Sequence, residues 1–327
     1  MIVLVLGGTK FLGRHIVERL AATGHRVVCF HRGRTTAALP GGVEERHGDR
    51  DKDFSAVHAE HWDAIVDTSG YRPEQLQRSL DLQTDRYLFV SSVSAYRDLS
   101  IAGITEDAPT IEEFDPSDEA AVYGGNKAAC ERLVIERRGD ASTILRPGLI
   151  AGRWDFTDRF TYWCERFVRG GTVLAPGPPD RLVQFIDAAD IAEFVEHAIV
   201  EGIGGTFNVV GPAMPATMQT LLDDCATVAD SRNAPPSTVV WTDGAYLKEE
   251  GVQEWTELPL WITDPQYAGL LQVSGSKALE AGLRLRPTAQ TIETVVDWIA
   301  RDQRPVNRAG MTPERELELL ARYAPSA

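Results

Sequence analysis

Cysteine is scarce in this chain of 327 residues, metal-binding histidine patterns are missing, and positive charge is in deficit. The four cysteines, Cys29, Cys130, Cys164 and Cys225, are scattered without metal-ligand spacing. Cys29 falls in an apolar strand and Cys130 on a helix, so buried thiols are expected and a disulfide framework is not. The seven histidines form no HExxH or HxH pattern, and no metal site is expected. Lys and Arg number 33 against 48 Asp and Glu, a net charge of −15. Phosphate backbones need a basic footprint, so the overall surface argues against nucleic acid as a partner. No apolar run approaches the ~20 residues of a membrane-spanning helix, so no membrane partner is expected. The chain starts directly in an apolar strand, so no signal peptide is expected, and a soluble cytoplasmic protein is. Hydrophobic residues at 43% allow a substantial core, which excludes global disorder.

Most of the information lies in the first 34 residues. An apolar strand, Ile2 to Leu6, runs into the turn Gly7-Gly8-Thr9-Lys10-Phe11-Leu12-Gly13. A helix follows, then a second strand, Val27 to Phe30, ending in His31-Arg32-Gly33-Arg34. This order is the opening of a dinucleotide-binding βαβ unit. The turn lets backbone N–H groups approach a pyrophosphate, and the helix N-terminus adds a favourable dipole. An acidic residue is expected about 20 residues beyond the turn to hold a ribose 2′-hydroxyl. His31 and Arg32 occupy that place, with Arg34 close by. Guanidinium groups attract a 2′-phosphate, so NADP(H) is expected over NAD(H) as cofactor.

Strands and helices then alternate to about residue 150, which predicts an α/β fold: a Rossmann-type, doubly wound parallel sheet. Ligands of such sheets sit beyond the carboxyl ends of the strands. The strand ends His47-Gly48-Asp49-Arg50, Thr68-Ser69-Gly70, Ser91-Ser92 and Arg146-Pro147-Gly148 are therefore placed at the site. The stretch 104–119 is acidic, holds Pro109 and Pro116, and reads as a surface loop near that edge. After residue 150 the pattern becomes mixed. Residues 1–150 with about 182–211 are assigned to the nucleotide domain. Residues 151–181 and 212–327 are assigned to a smaller, interleaved C-terminal substrate-binding lobe.

The second motif is Tyr123-Gly124-Gly125-Asn126-Lys127. On a helix, positions i and i+4 share a face, so Tyr123 and Lys127 point the same way. An ammonium near a phenol favours the phenolate. A tyrosine tuned in this way can exchange the proton of a carbonyl/alcohol pair.

The Gly7–Gly13 turn, Ser92, Tyr123 and Lys127 together resemble the short-chain dehydrogenase/reductase superfamily, in its extended branch, the NAD(P)-dependent epimerase/dehydratase family. Phe185-Ile186-Asp187 with Asp190, Phe207-Asn208 and Leu285-Arg286-Pro287-Thr288 fit the same branch. The turn and the strand end FHRGR are most similar to an atypical subgroup of reductase-like proteins and chloroplast stem-loop-binding proteins. The resemblance implies that Tyr123 is the proton donor and acceptor, that Lys127 lowers its pKa and holds the nicotinamide ribose, and that Ser92 binds the substrate oxygen. It places Gly7, Gly8 and Gly13 along the pyrophosphate, Asp49 at the adenine, and Ser69-Gly70 beside the cofactor. Dimerisation is frequent in the superfamily, so a homodimer is compatible with it.

Four departures narrow the function. Lys10 replaces the middle glycine of the turn, which an extended backbone would accommodate. Ser94 stands where sugar dehydratases carry a catalytic acid, which argues against dehydration. Leu149 and Val183 replace an asparagine and an arginine that contact nucleotide diphosphates in nucleotide-sugar enzymes, with Arg181 as a substitute. The segment Arg153 to Trp163 is rich in aromatics, and Arg153 or Arg159 is suited to fix an anionic group. Ser94, Arg153, Phe160 and Arg181 are thus candidates for substrate contact, although for any single aromatic here core packing is the stronger expectation. The expected function is an NADP(H)-dependent reductase or dehydrogenase of a small or medium carbonyl or alcohol. The alternatives are an epimerase with transiently used cofactor and a non-catalytic NADP(H)- or RNA-binding protein.

Overall fold

Seven strands buried or half-buried between helices form one parallel sheet. The computed structural model describes residues 1–35, 37–212, 214–301 and 309–323. Its first half runs β1 (Ile2–Leu6), α1 (Phe11–Ala22), β2 (Arg26–His31), β3 (Glu44–His47), α2 (Ser55–His58), β4 (Trp62–Asp67), α3 (Pro73–Ser79), β5 (Thr84–Val90), α4 (Glu119–Arg138) and β6 (Ser142–Pro147). Then follow β7 (Ile150–Ala151), α5 (Thr161–Arg169), β8 (Gly171–Pro176), β9 (Leu182–Val183), β10 (Ile186–Asp187), α6 (Ala188–Glu201) and β11 (Gly205–Val209). The chain continues through β12 (Ala216–Thr217), α7 (Met218–Ser231), β13 (Ser237–Thr242), α8 (Gly244–Glu249), α9 (Ser276–Glu280), α10 (Thr288–Arg301) and α11 (Pro313–Arg322).

The sheet order is β11-β6-β5-β4-β1-β2-β3, and every pairing in it is parallel. Winding reverses between β1 and β4, and such a switch point opens a crevice beyond the strand ends. In β1, Val3 and Val5 face α1 and α6, while Leu4 and Leu6 face the opposite core with Trp62, Tyr87, Phe89 and Val134. Burial on both faces explains the continuous apolar runs. The charged β3 (Glu-Glu-Arg-His) sits at the edge, where charge discourages further pairing.

A separate core gathers Phe160, Trp163, Phe167, Leu174, Leu221, Trp261 and Ile292. Val183 and Phe185 belong to this lobe core, whereas Ile186 and Ala188 belong to the sheet core. The chain crosses between them at 185–186, and Ala278 and Leu283 return to the sheet core. Helix α11 is fastened by Glu316, which accepts from Arg166 Nε at 2.7 Å and Arg169 at 2.7 Å and from the Leu174 N–H at 3.0 Å. The four cysteines are free and buried, which for Cys29 and Cys130 is what their sequence setting predicts. Among the described residues no helix is long and apolar enough to cross a membrane.

Candidate active site

The strand ends open into a cleft of about 1540 Å³ that also touches the C-terminal lobe. Its floor is the glycine turn. Gly7 has φ +98°, and a Cβ on Gly13 would lie 2.2 Å from the Gly7 carbonyl oxygen, so neither position tolerates a side chain. Lys10 is extended (φ −130°, ψ 147°), as its replacement of a glycine requires, and Phe11 takes the positive φ instead. No side chain caps α1 and no acid lies in its first turn. The first N–H groups of α1, beside Thr9, Lys10, Phe11, Leu12 and Gly13 in the cleft wall, thus remain available to an anion. The cradle fits a pyrophosphate. Gly8 lies behind it, where a Cβ would strike Val17 and Cys29, so its part is packing.

His31, Arg32 and Arg34 line the same end of the cleft. Arg32 and Arg34 are exposed, and no ion pair engages them among the described residues. The Gly33 N–H donates to His31 Nδ1 at 3.1 Å, so His31 Nε2 carries the proton that Glu45 accepts at 2.8 Å. His31, Glu45 and His47 lie close enough to share an ion, but a ring using both nitrogens this way is a hydrogen-bonding link and not a ligand.

Asp49 and Arg50 also line the cleft. Arg50, however, spends its guanidinium on the wall: two 2.8 Å bonds to Asp67, 2.7 Å to Ser69 Oγ and 3.1 Å to the Gln75 carbonyl. Burial lifts the Asp67 pKa, but the Arg50 charge and bonds from Arg50, Tyr87 and the Ser69 N–H outweigh it and hold the carboxyl below its usual range. Arg50 is therefore a support for the strand ends.

Ser92, Ser94, Tyr123 and Lys127 meet at the other side of the cleft, beside Pro147. The Ser94 N–H donates to Ser92 Oγ at 3.1 Å, and Ser92 Oγ donates to Ser94 Oγ at 3.1 Å. Helix α4 begins at Asp118, which caps it by accepting from the Ala120 and Ala121 N–H groups. Glu131 on α4 ties the helix to the sheet, accepting from Ser91 Oγ at 2.5 Å and Arg146 at 2.6 Å. Lys127 is 2% exposed and donates to the carbonyls of Gly70 (2.8 Å) and Val90 (2.9 Å). Burial lowers its pKa to about 8. The Tyr123 pKa is raised: displaced water and the nearby Tyr71 lift it, outweighing the hydrogen bond with Ser92 and the Arg159 charge. The ring is 42% exposed. The expected pull of Lys127 on Tyr123 does not appear in this structure: the carbonyls of Gly70 and Val90 hold the ammonium, and the Tyr123 pKa lies above its ordinary value.

Three expected substrate contacts are also corrected. Arg153 pairs with Glu18 at 3.3 Å and stacks on Trp154, outside the cleft lining. Phe160 is fully buried in the lobe core against Phe185. Arg181 donates to the Ile262 carbonyl at 2.7 Å and does not line the cleft. In their place the cleft is lined by Tyr71, Phe156, Arg159, Trp255 and Tyr267. Tyr71 follows the β4 strand end directly, a signal that sequence reading passed over. Trp255 and Tyr267 lie in an aperiodic stretch that offers none.

With this geometry in hand, similar proteins are informative. The model of the NAD dependent epimerase/dehydratase family matches residues 3–80 and 74–210. The chloroplast stem-loop binding protein of 41 kDa b from Arabidopsis thaliana is 26% identical over 208 residues, 58% of this chain and 53% of that protein. A 2′-dehydrokanamycin reductase from Streptomyces kanamyceticus is 33% identical over 148 residues, 43% of this chain and 40% of that protein. The chain thus spans about half the length of these relatives, or less. A crystal structure of a UDP-glucose 4-epimerase superposes with a TM-score of 0.68 at 17% identity, covering 94% of this chain and 100% of that one. At that identity the likeness establishes the fold.

Proposed function

The chain belongs to the NAD-dependent epimerase/dehydratase family, and from that premise we propose that it is an NADP(H)-dependent oxidoreductase interconverting a carbonyl and an alcohol on a small or medium-sized substrate. The observation that carries the reading is the meeting of Ser92, Tyr123 and Lys127 in one cleft that Lys10, Arg32 and Arg34 also line. When bound, the nicotinamide supplies or accepts the hydride. Tyr123 gives or takes the proton of the reacting oxygen, and Ser92 orients that oxygen with its hydroxyl. Lys127 holds the nicotinamide ribose. Arg32 and Arg34, with no ion pair among the described residues, favour a 2′-phosphate on the adenine ribose. The reductase relative is consistent with net hydride transfer, as is the serine at position 94, which leaves a dehydratase without its acid.

An epimerase that uses its cofactor transiently is the second reading, favoured by the likeness to the UDP-glucose 4-epimerase. Leu149 and the buried Val183 weigh against a nucleotide-sugar substrate. RNA binding, suggested by the stem-loop-binding relative, is weakened by the net charge of −15.

Titration with NADPH and NADH, wild type beside Arg32→Asp, tests the cofactor reading. Tight NADPH binding that shifts toward NADH in the variant supports it, and equal affinity for both in wild type refutes it. A carbonyl panel tests the chemistry: turnover must vanish in Tyr123→Phe while NADPH binding persists. Nucleotide retained through purification with no net oxidation would turn the reading to an epimerase.

A further inference from the structure

Arg159 has no role in the chemistry just described, yet it lines the cleft at the Tyr123 end. The segment that presents it, between β7 and α5, reverses at two left-handed residues, Trp154 (φ 64°) and Asp158 (φ 61°). Non-glycine residues hold such backbone only where surroundings enforce it. Arg153, before the first reversal, ends on Glu18 and Trp154, while Arg159, after the second, reaches the cleft.

The guanidinium lies 5.0 Å from the centre of the Trp255 ring. Stacking on an aromatic face leaves the planar edge of donors open. Among the described residues no hydrogen bond or ion pair engages those donors. The neighbouring Asp155 accepts through one oxygen from the Thr157 N–H at 2.7 Å and hydroxyl at 2.7 Å. Its other oxygen makes no hydrogen bond among the described residues, and the carboxyl acts on Arg159 through space without bonding it, while burial pushes its pKa up to about 6. A guanidinium partly withdrawn from water without a bound anion is costly, and a ligand carboxylate would offset that cost with paired charge-assisted bonds. The cleft is also lined by Asp98, Asp118, Glu254 and Asp264. Those acids repel a phosphate dianion more strongly than a carboxylate with a single charge.

We propose that Arg159 is a specificity residue that holds a carboxylate of the substrate, so that the compounds turned over are keto or hydroxy acids, or carboxylated aldehydes, whose reacting carbon lies beside Tyr123. The substrate class rests on the oxidoreductase reading, whereas the anion site does not.

The test is equilibrium binding to the full chain loaded with NADP⁺, using matched probes: 4-carboxybenzaldehyde against 4-methylbenzaldehyde, and phenylglyoxylate against acetophenone. Each acid should bind wild type about tenfold tighter than its neutral partner, the worth of one charge-assisted bond. Arg159→Gln should bring the ratio to about one, and Arg159→Lys should leave part of it. NADP⁺ affinity in both variants should stay at the wild-type value, which reports an intact fold. Absence of an acid preference in wild type, or its survival in Arg159→Gln, overturns the proposal. A second measurement needs no variant: phenylglyoxal should label Arg159 in wild type, read by peptide mass mapping, and phenylglyoxylate should protect it. Labelling without protection also overturns the proposal. Acid preference without any carbonyl turnover would sink the oxidoreductase reading and leave the anion site standing. Turnover without acid preference would do the reverse.

Discussion

Gly124→Ala tests whether the contact between α4 and the turn after β5 sets the reactive geometry. A Cβ at position 124 would lie 2.1 Å from the Ser94 carbonyl oxygen, and contacts below 3.0 Å essentially never occur. Helix and turn must therefore part by about 0.9 Å, the gap between those two distances. The obstacle is backbone, and the turn is held by the Ser94 N–H bond to Ser92 Oγ at 3.1 Å. Glu131 resists movement of the helix, since it binds Ser91 at 2.5 Å and Arg146 at 2.6 Å. The strain falls on the Tyr123–Ser92 pair. A misplacement of about 1 Å can cost about 100-fold in rate, or about 2.7 kcal/mol of barrier. Overpacking costs about 1–3 kcal/mol of stability, and the better helix propensity of alanine returns about 1. The variant should thus fold with a slightly lowered melting temperature, bind NADPH normally and lose about two orders of magnitude in kcat/KM for carbonyl reduction. Gly125→Ala is the control, because the atoms nearest its Cβ belong to the Phe114 side chain, 36% exposed, and not to backbone. It should keep its activity within about threefold, with stability unchanged or raised by the propensity gain. Wild-type turnover and melting temperature in Gly124→Ala would refute the argument.

Three further outcomes follow from the buried charges. Asp67→Asn leaves Arg50 buried without its anion and should lose about 3–5 kcal/mol at pH 7 by urea unfolding. Because the Asp67 pKa is held down in the folded state, its contribution is full above the ordinary carboxylate range and fades as pH falls through the folded value. The gap between wild type and variant should therefore narrow in acid, and a gap constant down to pH 2 would contradict the pairing. Lys127, pushed to about 8 by burial, releases its proton earlier folded than unfolded. Wild type should gain up to about 3 kcal/mol between pH 8 and the ordinary lysine value near 10.4. Lys127→Met should lack that rise in denaturant midpoints, and an identical pH profile would refute the shift. Glu316→Gln keeps an acceptor for the Leu174 N–H but leaves Arg166 buried without a counter-charge. Calorimetry should show the melting temperature falling by several degrees, corresponding to about 3–5 kcal/mol, and an unchanged melt would mean α11 is held mainly by its apolar face.

The sheet was legible because its strands are local and unambiguous. β1, β4, β5 and β6 are apolar runs bounded by small or polar residues at the ligand edge, and burial on both faces demands that composition. The lobe resisted for a different reason. β13 (Ser-Thr-Val-Val-Trp-Thr) is a strand by virtue of pairing in parallel with β8, which lies some 60 residues earlier, and no local pattern announces such a partner. α11 did carry its signal: Thr312 accepts from the Arg315 N–H, Pro313 sits at the first helical position, and Glu314 and Glu316 occupy the first turn. That start is readable in the sequence. The exchange of chain between the two cores at 185–186 lay beyond reading, because Val183, Phe185 and Ile186 are alike in hydrophobicity and differ only in which core their faces meet.

The site divides along the same line. The turn and the Tyr-Gly-Gly-Asn-Lys motif name their residues through local geometry, and the structure brings them into one cleft. Helical spacing predicts a shared face for Tyr123 and Lys127, and both do reach the cleft, yet a shared face does not decide what a long lysine stem bonds to. The nearby carbonyls of Gly70 and Val90, on strand ends more than 35 residues away in sequence, take the ammonium. Arg50 reads as a ligand contact from its place after β3, until Asp67 at the end of β4 claims it. Arg153 and Arg159 are the same residue type in one aromatic segment, and two left-handed residues separate their fates. Glycine would have flagged such a reversal, but a tryptophan and an aspartate at these positions do not. Sequence can therefore nominate Tyr123. Which arginine reaches the cleft beside it is fixed by contacts between distant segments.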